Sequence, residues 1–311
     1  MIVKRVSANE YSQLLGDCVP IYNNVKFVEL NAAKCDEVHY LSICDTKPRL
    51  GIVLGVNHSE KIMCSPFSAP FGGFVYKVEP SIEVVEKALE ALVDYVGQYT
   101  LRLTLPPDIY GYTSFNAKVV NSLMRMGHVP SWVDLNYHYD LSRVEHYESF
   151  LSRNARKNLN NSLKHDFVFE KLSADHSAHI ARAYAVIKAN RESHNYALRM
   201  SLNDVVATAQ ILPADFFVLS LNGEDVAAAQ VFHVSEGIAQ VIYWGDCPGY
   251  SALRPMNFLA YKLCDHYHKN GVKTLDIGPS TQQGVPNYGL CEFKENLGCE
   301  VSLKYIFEIK A

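Results

Sequence analysis

Three groups of side chains in this sequence have the types and spacing to hold anions and move protons. The first spans residues 276–299, where Asp276-Ile277-Gly278-Pro279-Ser280 is followed by Tyr288-Gly289-Leu290-Cys291-Glu292-Phe293-Lys294. Polar groups gathered where a strand runs out, under a loop long enough to cover a ligand, suit a site. The same residues equally make an ordinary strand, loop and capped helix. The second group is a basic stripe, Arg153, Arg156, Lys157, Asn160 and Lys164, on one face of a helical repeat. It is either a solvated face or a surface for the phosphates of a cofactor or an acidic substrate. The third is Gly249-Tyr250-Ser251-Ala252-Leu253-Arg254-Pro255, a loop that opens a helix with proline in its first turn. Free N–H groups at such a start can cradle a phosphate, although most capped helices bind nothing.

Metal chemistry is not expected. The eight cysteines are scattered without a Cys-x-x-Cys pair, and Cys291 and Cys299 have no neighbouring histidine to complete a zinc set. Apolar surroundings suggest reduced, buried thiols. His233 and His266 have apolar neighbours and read as packed side chains.

The elements that must position these groups follow from periodicity. The second half reads as a helix over 150–165 with Leu151, Ala155, Leu159 and Leu163 on its core side, a strand over 167–172, and helices over 176–191 and 202–212. Strands over 216–221, 226–234 and 238–244 form an antiparallel meander, since Asn222-Gly223 is a strong hairpin turn. A helix over 256–269, a strand over 272–277, a short helix stopped by Gly298 and a strand over 301–309 complete it. The first half reads as a helix over 9–15, a hairpin of strands 40–44 and 49–56, and a segment 61–74 that is either a twisted edge strand with a glycine bend or a pocket wall. Helices over 81–98 and 114–126 and strands over 100–105 and 132–141 follow.

At 311 residues the chain has room for two domains, placed here at 1–143 and 144–311. A hydrophobic share of 48% with 20% charged residues is that of a soluble globular protein. The net charge of −4 argues against bulk nucleic-acid or anionic-membrane binding, so any such contact must be local. No apolar run is long enough for a membrane span and the first residues lack a signal-peptide pattern, so a cytoplasmic location is expected.

The element order of the second half resembles that of the GNAT acyltransferase fold. Leu253-Arg254-Pro255-Met256-Asn257-Phe258-Leu259, Asp276-Ile277-Gly278-Pro279-Ser280 and Gly289-Leu290-Cys291-Glu292-Phe293-Lys294-Glu295-Asn296-Leu297-Gly298 resemble its FemAB-like branch. The resemblance covers about residues 147–311, and Arg153-Asn154-Ala155-Arg156-Lys157 is also reminiscent of the branch. The first half looks like a degenerate second copy, through Ser65-Pro66 and Gly72-Gly73. The implied fold is α/β (α+β), two GNAT-like domains, each a mixed, mostly antiparallel sheet flanked by helices.

The implied function is N-acyl transfer, from a CoA thioester or an aminoacyl-tRNA, to an amine on a small molecule or cell-envelope precursor. Acetyl-CoA enzymes of the fold bind pyrophosphate through Arg/Gln-x-x-Gly-x-Gly/Ala; residues 248–254 have one glycine followed by Tyr-Ser-Ala and depart from it. On this resemblance Glu292 and Asp276 are candidate bases, and Tyr288 or Tyr243 a donor to the leaving group. Backbone N–H groups over 241–245 would face the carbonyl. Gly249, Ser251, Arg254, Asn257 and Tyr243 would hold an acyl-CoA, and Arg153, Ser280 and Lys294 the substrate. A non-catalytic binding protein that keeps the fold is the other reading the sequence leaves open.

Overall fold

The computed structural model describes residues 1–14 and 19–310. Leu15, at the end of the first expected helix, and Cys18 lie outside the described residues. In chain order the elements are β1 (Ile2–Arg5), α1 (Ala8–Ser12), α2 (Val25–Asn31), β2 (Glu37–Cys44), β3 (Pro48–Asn57), β4 (Ile62–Ser65) and β5 (Phe74–Val75). They continue with α3 (Ile82–Val96), β6 (Thr100–Thr104), α4 (Thr113–Arg125), β7 (Trp132–Asp140), α5 (Tyr147–Phe150), α6 (Arg153–Ser162), β8 (Val168–Leu172), α7 (Ser177–Ser193) and α8 (Leu202–Ala209). Next are β9 (Ala214–Leu221), β10 (Glu224–Ser235), β11 (Ile238–Asp246), α9 (Pro255–Lys269), β12 (Thr274–Pro279), β13 (Thr281–Gln282), β14 (Val285–Pro286), α10 (Tyr288–Asn296) and β15 (Glu300–Lys310).

The chain divides into two compact units. One takes Met1–Leu135, Thr281–Val285 and Ser302–Ala311; the other takes Asn136–Ser280 and Pro286–Val301. In the first unit the strand order is β1-β2-β3-β4-β6-β15, with β5 added to β3. β2 and β3 form the expected hairpin, in register from Glu37↔Val56 to Ile43↔Leu50 with a shift before Cys44↔Pro48. Residues 62–65 are not an edge: β4 pairs antiparallel with β3 and parallel with β6. Sequence patterning cannot show which distant strand completes a ladder, so this interior place was not legible. Tyr11, Val28, Tyr40, Val53 and Val75 pack together in its core.

In the second unit the order is β7-β12-β11-β10-β9-β8. The meander forms as expected. Asn222 and Gly223 both adopt positive φ in the turn between β9 and β10, which suits the Asn-Gly pair. Phe216 to Leu219 and Ala227 to Ala229 are all buried in the adjoining strands, and Ile180 and Ile187 of α7 are buried as well. The long helix expected over 150–165 is broken instead. Leu151 has extended ψ, and Ser152 Oγ accepts from Ala155 N at 3.1 Å, so α6 starts anew with its own cap. Leu151, Ala155 and Leu159 are buried, while Leu163, past the end of α6, is 47% exposed rather than in the core. The mixed α/β fold read from the sequence is the fold observed.

Candidate functional site

Two parallel strands separate in the second unit, and the separation organises the site. β11 and β12 pair at Ile238↔Thr274, Ala239↔Leu275 and Gln240↔Asp276, and no further. β11 then continues to Asp246 while β12 ends at Pro279, so from Val241 onward β11 presents backbone groups with no β12 partner. Asp276 stands at the fork with no exposed surface. Its carboxylate accepts from Asn136 Nδ2 of β7 at 2.8 Å, Gln240 Nε2 of β11 at 2.6 Å and Gly278 N at 2.8 Å. Three donors on one buried carboxylate tie three strands together, and such a charge stays where its partners are. Asp276 is thus an anchor of the fork and does not line the cleft of Glu292, which its expected part as a second base requires.

Gly278 has φ of +70°, a left-handed conformation that glycine adopts without steric cost. Lys294 Nζ donates to the carbonyls on either side of it and to its own, 2.8 Å from Ile277 O, 2.8 Å from Gly278 O and 3.2 Å from Pro279 O. The ammonium also lies 5.3 Å from the centre of the Tyr137 ring. Lys294 is 4% exposed, and burial pulls its pKa down to about 8. The expectation that it holds a substrate phosphate or carboxylate gives way, because its three donors are spent on the strand end. Beside it Ser280 is buried; its carbonyl accepts from Asn287 N at 2.9 Å and its Oγ has no partner.

α10 starts at a cap in which Asn287 Oδ1 accepts from Leu290 N at 3.1 Å. Tyr288 and Glu292 are four residues apart and share a face of this helix. Glu292 is exposed and lines a cleft of about 200 Å³ with Asn154, Asn158, Asn257, Phe293 and Asn296. Tyr288, 80% exposed, is one turn away and does not line it.

On the other side of α6 lies a groove of about 650 Å³. Arg153, Arg156, Lys157 and Lys164 line it from α6 and the turn after it, and Ala252 and Arg254 from the turn before α9. Asn154 and Asn158 line both the groove and the Glu292 cleft. No carboxylate lines the groove, and none of its five cations is ion-paired with a described residue. Arg156 does donate to Glu148 O, at 3.2 Å from Nε and 2.9 Å from Nη2. Asn161 Nδ2 bridges to Ala252 O at 3.4 Å. Arg254 is a non-glycine residue in the left-handed region, φ 59° and ψ 43°, at the start of α9. A strained backbone that places a cation in a groove is a pointer to function.

The expected residues are therefore sorted by the fold. Arg153 and Arg254 come together in the groove, and Asn257 and Glu292 in the cleft beside it. Asp276, Ser280 and Lys294 form the fork. Gly249 and Ser251 are exposed and outside the groove lining, because the turn puts Ala252 there instead. Tyr243 is not with them: its ring faces α7, 5.1 Å from Arg191 Cζ, and its hydroxyl accepts from Arg199 N at 3.3 Å. The next residue, Trp244, has its ring 6.2 Å from Phe293 of α10. Sequence reasoning missed Arg191 and Gln230. The available signal for Gln230 was a polar residue inside the apolar run of β10; Arg191 sits in the last turn of α7, where a cation is ordinary. His233 pairs with Asp215 at 2.8 Å and its side chain is 38% exposed rather than packed, and half-buried His266 stands edge-on to Phe217.

The described cysteines are free, and among the described residues no group of three or more His, Cys, Asp or Glu could hold a metal ion. No described helix is long and apolar enough to cross a membrane.

No protein-family model matches the chain, and no curated protein does. Among solved structures the chain is similar to FemX, at 12% identity over 99% of this chain and 98% of that one, with a TM-score of 0.69. It is also similar to a conserved protein of unknown function from Bacteroides thetaiotaomicron, at 11% identity over 100% of both chains and a TM-score of 0.60. L-PGS from Bacillus licheniformis follows at 13% identity, covering 86% of this chain and 83% of that one, with a TM-score of 0.54. At these identities the likeness is one of fold, and it is the FemAB-like GNAT fold that the three sequence segments resembled.

Proposed function

We propose that this chain is an N-acyltransferase that moves an acyl or aminoacyl group from a phosphate-bearing donor to an amine, with its chemistry in the second unit. The observation that carries this reading is the unpaired basic groove of Arg153, Arg156, Lys157, Lys164 and Arg254, which continues past Asn154 and Asn158 into the cleft of Glu292. Five cations without counter-ions among the described residues fit the phosphates of an acyl-CoA or of the acceptor end of an aminoacyl-tRNA, and both donors present a reactive carbonyl beyond their phosphates. A single-glycine loop before α9 favours the RNA donor over acetyl-CoA.

In this reading the amine attacks the donor carbonyl carbon and Glu292, exposed and free to accept, takes its proton directly or through water. The N–H groups of β11 beyond Gln240 that face away from β10 stabilise the oxyanion, since β12 no longer uses them. The C–S or C–O bond then breaks, and the leaving thiolate or alkoxide takes a proton from Tyr288, on the same face of α10 as Glu292. Asp276 and Lys294 keep the fork in place.

Binding of CoA and of a CCA-ended RNA hairpin, measured at two salt concentrations, tests the donor. The RNA should bind with a steep salt dependence that Lys157→Glu with Arg254→Glu makes shallower. With the donor that binds, Glu292→Gln should lower turnover about 10²- to 10⁴-fold at an unchanged melting temperature. Binding of neither probe removes the phosphate-bearing donor; binding with no transfer to any amine makes the chain a binding protein.

A further inference from the structure

A further cation in this unit has no counter-ion among the described residues, and it sits where the groove does not reach. Arg191, in the last turn of α7, is held between two aromatic rings, with Cζ 5.7 Å from the Tyr196 centroid and 5.1 Å from the Tyr243 centroid. Neither ring offers the guanidinium N–H groups a carboxylate, and no described residue accepts a hydrogen bond from them. Its Nε is buried and has no acceptor, and no described carboxylate pairs with it. Burial lowers its pKa and the two tyrosines offset only part of that, so holding the charge here costs free energy.

One other unsatisfied residue lies on the same face of the sheet. Gln230 is 1% exposed, and neither Oε1 nor Nε2 has a partner. It is directly opposite Tyr243 in the ladder of β10 and β11, and ladder partners project from the same face, the face that carries Arg191. Buried polar atoms without partners are uncommon in native proteins, and Arg191 Nε together with both polar atoms of Gln230, on one face of the sheet, marks a place for a ligand.

We propose that Arg191 receives the carboxylate of the amine acceptor, so that the acceptor is an amine that also carries a carboxylate, an amino acid or a peptide. The proposal rests on the acyl-transfer reading above. The planar fork of one guanidinium matches one carboxylate, whereas a phosphate dianion would find its several cations in the groove beyond α6. The two sites are on opposite sides of β11: Tyr243 projects toward α7 and Trp244 toward α10. A donor held in the groove and an acceptor held at Arg191 would therefore approach the unpaired length of β11 from its two faces.

The test is an NMR titration of ¹⁵N-labelled protein without any acyl donor, following the Arg191 Nε–H signal, assigned by its loss in Arg191→Lys. The probes are glycylglycine, glycylglycinamide and inorganic phosphate. Glycylglycine should shift this signal and bind at least about tenfold more tightly than the amide, the difference one charge-assisted hydrogen bond makes. Arg191→Gln should erase that preference. Arg191→Lys, which keeps the charge and loses the fork, should retain only part of it and serves if the glutamine variant is unfolded. Equal binding of dipeptide and amide, a preference that survives Arg191→Gln, or tighter binding of phosphate at this signal would overturn the proposal. Because no donor is present, a positive result stands even if acyl transfer fails. Transfer to carboxylate-free amines at undiminished efficiency would sink this proposal and leave acyl transfer intact.

Discussion

Replacing Lys294 by methionine should make the stability of the second unit depend on pH in a way fixed by the buried ammonium. An ordinary lysine titrates at 10.5 and Lys294 is held at about 8, a difference worth about 3 kcal/mol. Below pH 8 the side chain is charged in both the folded and the unfolded protein, and the folded protein bears the whole cost. As pH rises through about 8 the folded protein releases its proton while the unfolded chain keeps it to about 10.5. The unfolded state then binds more protons, so stability rises with pH across that window. The methionine variant has no such group. At neutral pH it leaves three carbonyls without their donor, at about 1–3 kcal/mol each if none finds water, and it is relieved of the buried charge; a net loss of roughly 2–4 kcal/mol is expected. The gap between parent and variant should then widen by about 2 kcal/mol between pH 7 and 9.5. Burial pushes up the thiols of Cys264 and Cys299 and the phenols of Tyr139 and Tyr147, which lowers stability at high pH in both proteins, and subtraction removes this. The chain has two tryptophans, Trp132 in the first unit and Trp244 in the second, so urea unfolding in a Trp132→Phe background reports on the second unit alone. A gap that stays constant or narrows toward pH 9.5 would refute the account of Lys294 as a charged clamp.

Asp276→Asn keeps the shape of the side chain and turns one accepting oxygen into a donor facing other donors. It should cost about 2–4 kcal/mol and show first as a lower melting temperature; an asparagine variant of parental stability that has lost turnover would return Asp276 to the chemistry. Gly245→Ala places a Cβ 2.3 Å from Asn190 Cγ, on a side chain that also donates to Asp246 O at 2.9 Å. The last turn of α7 must shift, and a loss of about 1–3 kcal/mol in chemical denaturation is expected; no loss would mean that α7 is free to move at this end.

The second half of the fold was legible because its elements announce themselves locally. Alternation marks β9 to β11, Asn222-Gly223 marks the turn, and apolar spacing marks α7 and α9. What patterning could not show was decided by single side chains or distant partners. Ser152 breaks a helix whose apolar repeat runs unbroken through it, because one cap outweighs the weak preference of the flanking residues for continuing. The segment 61–74 reads like an edge from the glycines and prolines that follow β4, yet the second neighbour of β4, β6, lies some 38 residues further on.

The site was legible as a place and illegible as chemistry. The stretch from Asp276 to Lys294 forms the strand end and its clamp, but the partners of Asp276 are 36 and 140 residues away in sequence, so nothing nearby says that its carboxylate is already occupied. On α10, Glu292 and Lys294 look alike as charged residues of a short helix. A two-residue step turns them about 200° apart around its axis, so one points to solvent and the other under the strand end. Burial therefore divides the candidates by whether their hydrogen-bonding capacity is spent. Lys294 is buried and Arg191 half-buried, but the three donors of Lys294 are satisfied by carbonyls while the buried Nε of Arg191 has no acceptor. A cation whose donors are all used inside the protein holds the structure, and one whose donors are left over is an opening for a ligand. That distinction moves the search for the acceptor from the strand end, where the sequence pointed, to the tyrosine cage on the opposite face of β11.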